Sequence, residues 1–352
     1  MASVLLDSVS VTRSGNQVIH DLTLSVEDGE LLVLVGPSGC GKTSILRAVA
    51  GLEGITGGDI LFDGRDMDDV ATAKRDVAMV FQDYSLMPKK TVRSNVAFPL
   101  EVRRVDREEI DQRVVAEART LDIERFLERF PERLAAGHQQ LVQAARALVR
   151  RPSLFLLDEP LSRMDAANRR MMRSEIRLLQ SGYGVTTLYA TNDQEEAMAI
   201  ADRIAVIDNG RLRQVGTPNE IYHQPVDVFV AGFVGSPAMS FLGGEVADRE
   251  VRIDAGALPV PAGTRSGPVT VGVRPHEWHL VPTAGLPGTV ASVENHGDFA
   301  FAEIDVGSDR ITMRIDEIPA VGDTIEVWTH RFHLFNSSGR AIAHIEYPGS
   351  AR

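Results

Sequence analysis

Five short, almost wholly apolar runs, at residues 31–35, 77–81, 154–157, 186–190 and 204–207, constrain this chain more than any other feature. A strand that shows no polar side is buried on both faces, so such runs read as parallel strands with helices packed above and below. The segments between them agree. Residues 107–121, 139–149, 166–179 and 194–200 carry apolar residues at three- and four-residue spacing among polar ones, the pattern of amphipathic helices. After the last run, Asn209-Gly210 marks a tight hairpin into residues 211–215, which implies an antiparallel strand at the sheet edge.

The pattern changes after Gly235-Ser236-Pro237: helical periodicity ends and short alternating runs follow at 289–294, 300–306 and 324–329. Turn signals at Asp254-Ala255-Gly256, Leu286-Pro287-Gly288, Val306-Gly307-Ser308 and Val321-Gly322-Asp323 are spaced for a compact barrel or sandwich. The 352 residues therefore divide into an α/β domain over residues 1–235 and a small all-β domain over 236–352, with 43% hydrophobic residues to fill two cores.

Lys and Arg number 37 against 49 Asp and Glu, for a net charge of -12, and no dense basic block interrupts the acidic balance. A broad phosphate-backbone footprint is missing, which argues against nucleic acid as the partner. The single cysteine makes no internal disulfide, and the first residues lack a basic segment followed by an apolar core, so a reducing cytosol is expected. No stretch approaches the ~18–20 apolar residues of a membrane helix, so any membrane role is expected to be peripheral.

The chemistry centres on Gly36-Pro37-Ser38-Gly39-Cys40-Gly41-Lys42-Thr43, directly after the first run and directly before a helical segment opening at Ser44. It matches G-x-x-x-x-G-K-[ST]: glycines let the backbone curl around phosphates, amides and the helix N-terminus face the anion, Lys42 reaches the outer phosphates and Thr43 offers magnesium a hydroxyl. Cys40 inside the loop reads as space-filling rather than reactive. Further on, four apolar residues deliver Asp158-Glu159 to a strand end. One carboxylate suits the magnesium shell and the next an attacking water, so Asp158 takes the metal role and Glu159 the base role.

The order of these motifs resembles the ATP-binding cassette proteins, specifically ATPase subunits of sugar- and polyol-type importers related to the maltose transporter. The likeness covers essentially the whole chain. It is carried by the phosphate loop, Asp158-Glu159, Val80-Phe81-Gln82-Asp83-Tyr84-Ser85-Leu86, Leu161-Ser162-Arg163-Met164-Asp165, and Asp193-Gln194-Glu195-Glu196-Ala197-Met198. Phe229-Val-Ala-Gly-Phe-Val-Gly-Ser-Pro237 resembles the family's entry into its accessory β domain, and Gly272-Val-Arg-Pro-His-Glu277 a motif inside it. The resemblance implies a phosphate-loop nucleotide-binding domain followed by an oligonucleotide-binding-like β domain, with ATP and Mg2+ as cofactors. It assigns Gln82 to catalysis and, with Thr43 and Asp158, to magnesium. It makes Asp165 part of a loop that crosses a dimer, and it gives residues around Leu86, Met87 and Phe98 to a coupling contact with membrane subunits.

Three motifs depart from the family. The Leu-Ser-Gly-Gly-Gln signature reads Leu134-Ala135-Ala136-Gly137-His138 here, so Ala135 lacks the hydroxyl that bonds a terminal phosphate, while Gly137 persists. The switch histidine is replaced by Asn192, which bonds but relays no proton near neutral pH. Arg13 stands at the adenine-stacking position, where its planar guanidinium can stack. These changes lead to the expectation of a heterodimer with a second, more complete ATPase subunit. Two membrane permeases and, indirectly, an extracytoplasmic solute-binding protein complete the assembly at the cytoplasmic face of the cell membrane. In the β domain, Trp278 reads as a core residue, and His276, His279, His330 and His333 form no metal-ligand pattern with cysteine.

Overall fold

The computed structural model describes residues 2–81, 86–162 and 164–347. Two compact units meet between Pro218 and Asn219. The first unit opens with β1 (Val4–Arg13), β2 (Asn16–Val26), β3 (Leu31–Val35), α1 (Lys42–Val49), β4 (Gly57–Phe62), β5 (Arg65–Asp66) and β6 (Val77–Val80). It continues with α2 (Val92–Val102), α3 (Arg107–Thr120), α4 (Ala136–Leu148), β7 (Leu154–Asp158), α5 (Ala166–Tyr183), β8 (Thr186–Thr191), α6 (Gln194–Ile200), β9 (Arg203–Asp208) and β10 (Arg211–Gly216).

The five apolar runs form one sheet, ordered β10-β9-β3-β8-β7-β6. Neighbours from β9 to β6 pair in parallel, and β10 pairs antiparallel with β9 at the edge, as the Asn209-Gly210 turn requires. Every residue of β3, β7 and β8 is buried, which explains their lack of alternation. A second sheet, β2-β1-β4-β5, is antiparallel and shares a core with α1 and the six-stranded sheet through Leu6, Ile19, Leu22, Leu46 and Leu188. A separate core holds α2, α3 and α4 together around Val96, Val114, Ile123 and Val142.

The second unit is all-β apart from the short helices at its start. One sheet of six strands and one of five, both antiparallel, enclose a core that includes Trp278, Phe332 and Val271. The unit begins well before the expected boundary at residue 235. Residues 226–228 bond the 339–341 segment, with Val228 N donating to Gly339 O at 2.8 Å and Ala341 N to Val226 O at 2.9 Å. The Arg274 guanidinium donates to the carbonyls of Tyr222 at 2.9 Å, Ala231 at 3.1 Å and Val234. These bonds attach the two helices Pro218–His223 and Val228–Phe233 to the β structure, a tie that their helical sequence alone does not reveal.

Candidate functional site

Three neighbouring strands end at one edge of the parallel sheet. β8 lies between β3 and β7, with Val35 paired to Thr191 and Asp158 to Ala190. The phosphate loop leaves β3, Asn192 leaves β8 and Glu159 leaves β7, so the sheet order brings three motifs far apart in sequence into one crevice. A ligand cleft forms at the carboxyl edge of such a sheet for this topological reason.

The loop backbone needs its glycines. A Cβ on Gly36 would stand 2.0 Å from Ile207 O, and one on Gly41, at φ +110°, would stand 2.6 Å from Ile19 Cδ1. Pro37, Ser38 and Gly39 lie exposed at the top of the loop, as does Thr43, while Lys42 and Ser44 are buried where α1 begins. Cys40 is buried beneath them, and burial pushes its thiol above the ordinary range, consistent with filling space.

Lys42 Nζ donates to Gly36 O at 2.9 Å, Pro37 O at 3.0 Å and Asn192 Oδ1 at 2.5 Å. Cys40 Sγ lies 3.7 Å from the same nitrogen, so the acceptors around Lys42 outnumber its three ammonium protons. The Thr43 hydroxyl donates to Asp158 Oδ1 at 2.9 Å. Burial pushes the Asp158 carboxyl up, against the opposing effect of the Thr43 bond. An exposed hydroxyl beside a carboxylate supplies adjacent hard oxygens, a donor pair that fits magnesium.

Glu159 sits at φ +44°, a left-handed conformation that costs a non-glycine residue roughly 1–3 kcal/mol. Its amide donates to Ala190 O at 2.9 Å, Ser162 Oγ donates to its carbonyl at 2.9 Å, and its Oε1 accepts from Asn192 Nδ2. Those bonds hold the strained turn and aim the carboxylate at the β8 turn. Asp165 is the N-cap of α5, accepting from Asn168 N at 3.0 Å, and its carboxyl is held below its usual range by that bond.

The remaining expected residues lie elsewhere. Ala135 is the N-cap of α4 and gives that helix no side-chain bond. Among the described residues, and apart from its chain neighbours and its own helix backbone, Gly137 has no atom within 4 Å of where its Cβ would be. Arg13 is exposed at the end of β1, beside the hairpin into Asn16. Gln82 lies outside the described residues. Leu86 is buried in the α2–α4 core, so burial removes it from the expected surface contact. Phe98 is exposed, with Lys90 Nζ 5.0 Å from its ring, and Phe81 and Leu52 are exposed as well.

Sequence reasoning missed what supports Asn192. Tyr189 Oη and Thr191 Oγ1 donate to Glu196 Oε2 at 2.9 and 2.8 Å, and Arg169 Nη1 donates to Asp193 Oδ2 at 2.9 Å. Glu196 and Asp193 fall within a motif the sequence offers, but their bonds to Tyr189 and Arg169 depend on strand register and helix packing.

A parallel sheet with this loop, this acidic strand end and this order of motifs defines a phosphate-loop nucleotide-binding unit. Residues 19–162 match the protein-family model described as ABC transporter. An sn-glycerol-3-phosphate import ATP-binding protein of Ruegeria pomeroyi is 46% identical over 82% of this chain and 81% of its own length. Its counterpart from Vibrio vulnificus is 42% identical over 95% of this chain and 93% of its own. Among solved structures, a Clostridium perfringens cbiO1 chain, part of the ABC transporter complex cbiONQ, aligns with a TM-score of 0.59 at 24% identity, covering 62% of this chain and 89% of that one. That likeness concerns the fold. The chain belongs to the ATP-binding cassette family, as an import ATPase of the sugar type.

Proposed function

We propose that this chain hydrolyses ATP at the crevice of Lys42, Asp158, Glu159 and Asn192 to drive uptake of a small phosphorylated polyol. The observation that carries the site is the convergence of Lys42, Thr43-Asp158 and Asn192-Glu159 at the ends of three adjacent strands. The solute class rests on relatives named for sn-glycerol 3-phosphate that match most of the chain. Residues 36–44 wrap the phosphates, and Arg13 stacks on the base. Glu159 orients a water and takes its proton as the water oxygen bonds the terminal phosphorus and the bond to ADP breaks. Thr43, Asp158 and Gln82 would hold magnesium, which when bound would neutralise phosphate charge.

Two permeases receive the motion at the surface that includes Phe81 and Phe98, which places the chain at the cytoplasmic face of the membrane; an extracytoplasmic solute-binding protein delivers the solute. The β unit, from Asn219 onward, serves as an accessory domain. Pairing with a second, more complete ATPase is supported by the α4 N-terminus, where Ala135 offers no side-chain oxygen.

The test is the complex purified through a tag on this chain and reconstituted in vesicles. ATP turnover stimulated by glycerol 3-phosphate with its binding protein is the expected result, and stimulation by an uncharged sugar alone would overturn the solute class. Mass analysis of the same complex decides the pairing: one ATPase species overturns the heterodimer, and two support it.

A further inference from the structure

We propose that Arg169 and Glu196 are positioning residues that couple the Asn192 turn to the Met164–Asp165 segment, so that the amide at Lys42 and Glu159 moves only together with that segment. The proposal rests on the reading of this crevice as the ATPase site. Its basis is a closed ring of bonds.

One side of the ring is formed by Glu159, Leu161 and Ser162 together with Met164 and Asp165. Ser162 Oγ donates to Glu159 O at 2.9 Å, Met164 N to Leu161 O at 3.1 Å, and Arg169 N to Asp165 O at 2.9 Å. The other side is the end of β8. Glu196 accepts from hydroxyls of Tyr189 and Thr191, and Asp193 N donates to Thr191 Oγ1 at 3.0 Å. Asp193 also caps α6, its Oδ1 accepting from Glu195 N at 2.8 Å and Glu196 N at 3.2 Å. Asn192 therefore projects from a turn held on both flanks.

The sides join twice. Near the phosphates, Asn192 Nδ2 donates to Glu159 Oε1. At the far end, the Arg169 guanidinium forks: Nη1 donates to Asp193 Oδ2 at 2.9 Å and Nη2 to Met164 O at 3.1 Å, while Nε lies 4.0 Å from Glu196 Oε1. A planar fork of this kind fixes two acceptors relative to one another, which a lysine ammonium on a flexible stem does not. A contiguous hydrogen-bond network of this kind is one physical carrier of coupling between two loops.

Burial points the same way. Glu196 is only 3% exposed, and burying a carboxylate is costly unless it is paired and bonded. An apolar residue of similar volume would fill that space without the cost, so packing alone does not account for a carboxylate. What the carboxylate adds is one oxygen that two hydroxyls share and a charge facing Arg169. Both additions set the angle at which the turn leaves β8.

The experiment measures ATP turnover and nucleotide affinity of the full-length chain in its transporter complex, for Arg169→Met, Asn192→Ala and the double variant. Lys42→Ala is the control: turnover surviving it would show that the assigned site is wrong, a failure distinct from that of the coupling. Arg169→Met is expected to lower kcat about tenfold with KM within about twofold, and the double variant to be no slower than the slower single one. Effects that multiply, or unchanged turnover in either single variant, overturn the coupling. Arg169→Lys keeps the charge and is expected to fold with the native Tm yet remain slow. Rescue to native turnover by lysine overturns the proposal. Should Arg169→Met fail to fold, Glu196→Gln serves instead: its amide oxygen still accepts both hydroxyls, and a several-fold loss of kcat at unchanged Tm is expected, native kcat being the contrary result.

Discussion

The Asn192 side-chain amide bridges Lys42 and Glu159, its oxygen 2.5 Å from Lys42 Nζ and its nitrogen donating to Glu159 Oε1. Chemistry fixes the amide orientation, because only the oxygen accepts from an ammonium and only the nitrogen donates to a carboxylate. Since Gly36 O, Pro37 O and Cys40 Sγ also surround Lys42 Nζ, a phosphate oxygen that engages Lys42 competes with the Asn192 oxygen. Asn192→Ala removes that competitor and the contact to Glu159 together. ATP binding is expected to tighten a few-fold while turnover falls about tenfold, read by titration with a fluorescent ATP analogue and by steady-state rates. Asn192→His restores a bridge only while the imidazole is neutral, since imidazolium accepts from no ammonium. That variant is expected to acquire an acid limb in kcat near pH 6.5, absent from the native enzyme. Weaker ATP binding by Asn192→Ala would sink this reading.

At the start of α4, Ala135 occupies the cap position with extended backbone (φ -63°, ψ 154°) and no side-chain bond. A serine there has the geometry to accept from a first-turn amide, so Ala135→Ser is expected to stabilise the first unit by about 1 kcal/mol. Thermal unfolding checks this as a rise of ~2–4 °C. Turnover is the second readout. An increase would show that the missing hydroxyl limits the rate; a gain in stability with no change in rate would show that the altered signature is tolerated.

Gly137 offers the converse test. Among the described residues nothing beyond its chain neighbours and its own helix backbone stands within 4 Å of a Cβ there, and a glycine in a helix costs about 1 kcal/mol relative to alanine. Gly137→Ala is therefore expected to raise Tm and to slow ATP turnover, because the space it fills is needed by what approaches from outside the chain. Unchanged turnover with raised Tm would mean that this glycine has no role in the ATPase cycle.

The parallel sheet was legible because strands buried on both faces leave uninterrupted apolar runs, as in Leu31–Val35. The antiparallel sheet was not. β1 and β2 are long and half-exposed, with register shifts at Val9 and Val11 that break their alternation, so neither period stands out. α2 was hidden by the helix-internal Pro99. In the site, each motif stood out by its own residues, but the position of Asn192 between Lys42 and Glu159 follows from β8 lying between β3 and β7. Sequence order does not carry strand order. Arg169 and Glu196 were missed for the same reason, since the one reaches Asp193 and the other Tyr189 only after packing.

The Gly272–Glu277 motif has a structural cause in Arg274, which is 2% exposed, bonds three carbonyls and lies 4.1 Å from the centre of the Tyr222 ring. Desolvation pulls its guanidinium down to about 10, which still leaves it charged at neutral pH. Arg274→Met leaves the carbonyls of Tyr222, Ala231 and Val234 without this donor, at about 1 kcal/mol or more for each. The second unit is expected to lose roughly 3–5 kcal/mol. Hydrogen exchange in residues 219–234 should rise before that of the β core. Native protection there would show that Arg274 does not hold the segment.

Acid should weaken the β unit through His333. Its Nδ1 stands 2.6 Å from Nδ1 of His344 on the paired strand, and it is 3% exposed. Burial first, then the charges of His344 and Arg274, pulls its pKa down to about 3, with Glu277 opposing and Arg331 adding to the effect. A folded-state value below the unfolded one near 6.5 means that the unfolded chain binds the proton more readily. Stability is therefore fully present above about pH 6.5 and is lost as pH falls toward 3, by at most about 5 kcal/mol for this group. His333→Phe keeps the ring volume and removes the titration, and the exposed His344 can turn its nitrogen to water. The variant's denaturant midpoint should fall much less between pH 7 and pH 4 than the native midpoint, with a residual slope from His223, His279 and His344, whose values burial also lowers. Equal slopes for the two proteins would show that His333 is not the group that makes this unit sensitive to acid.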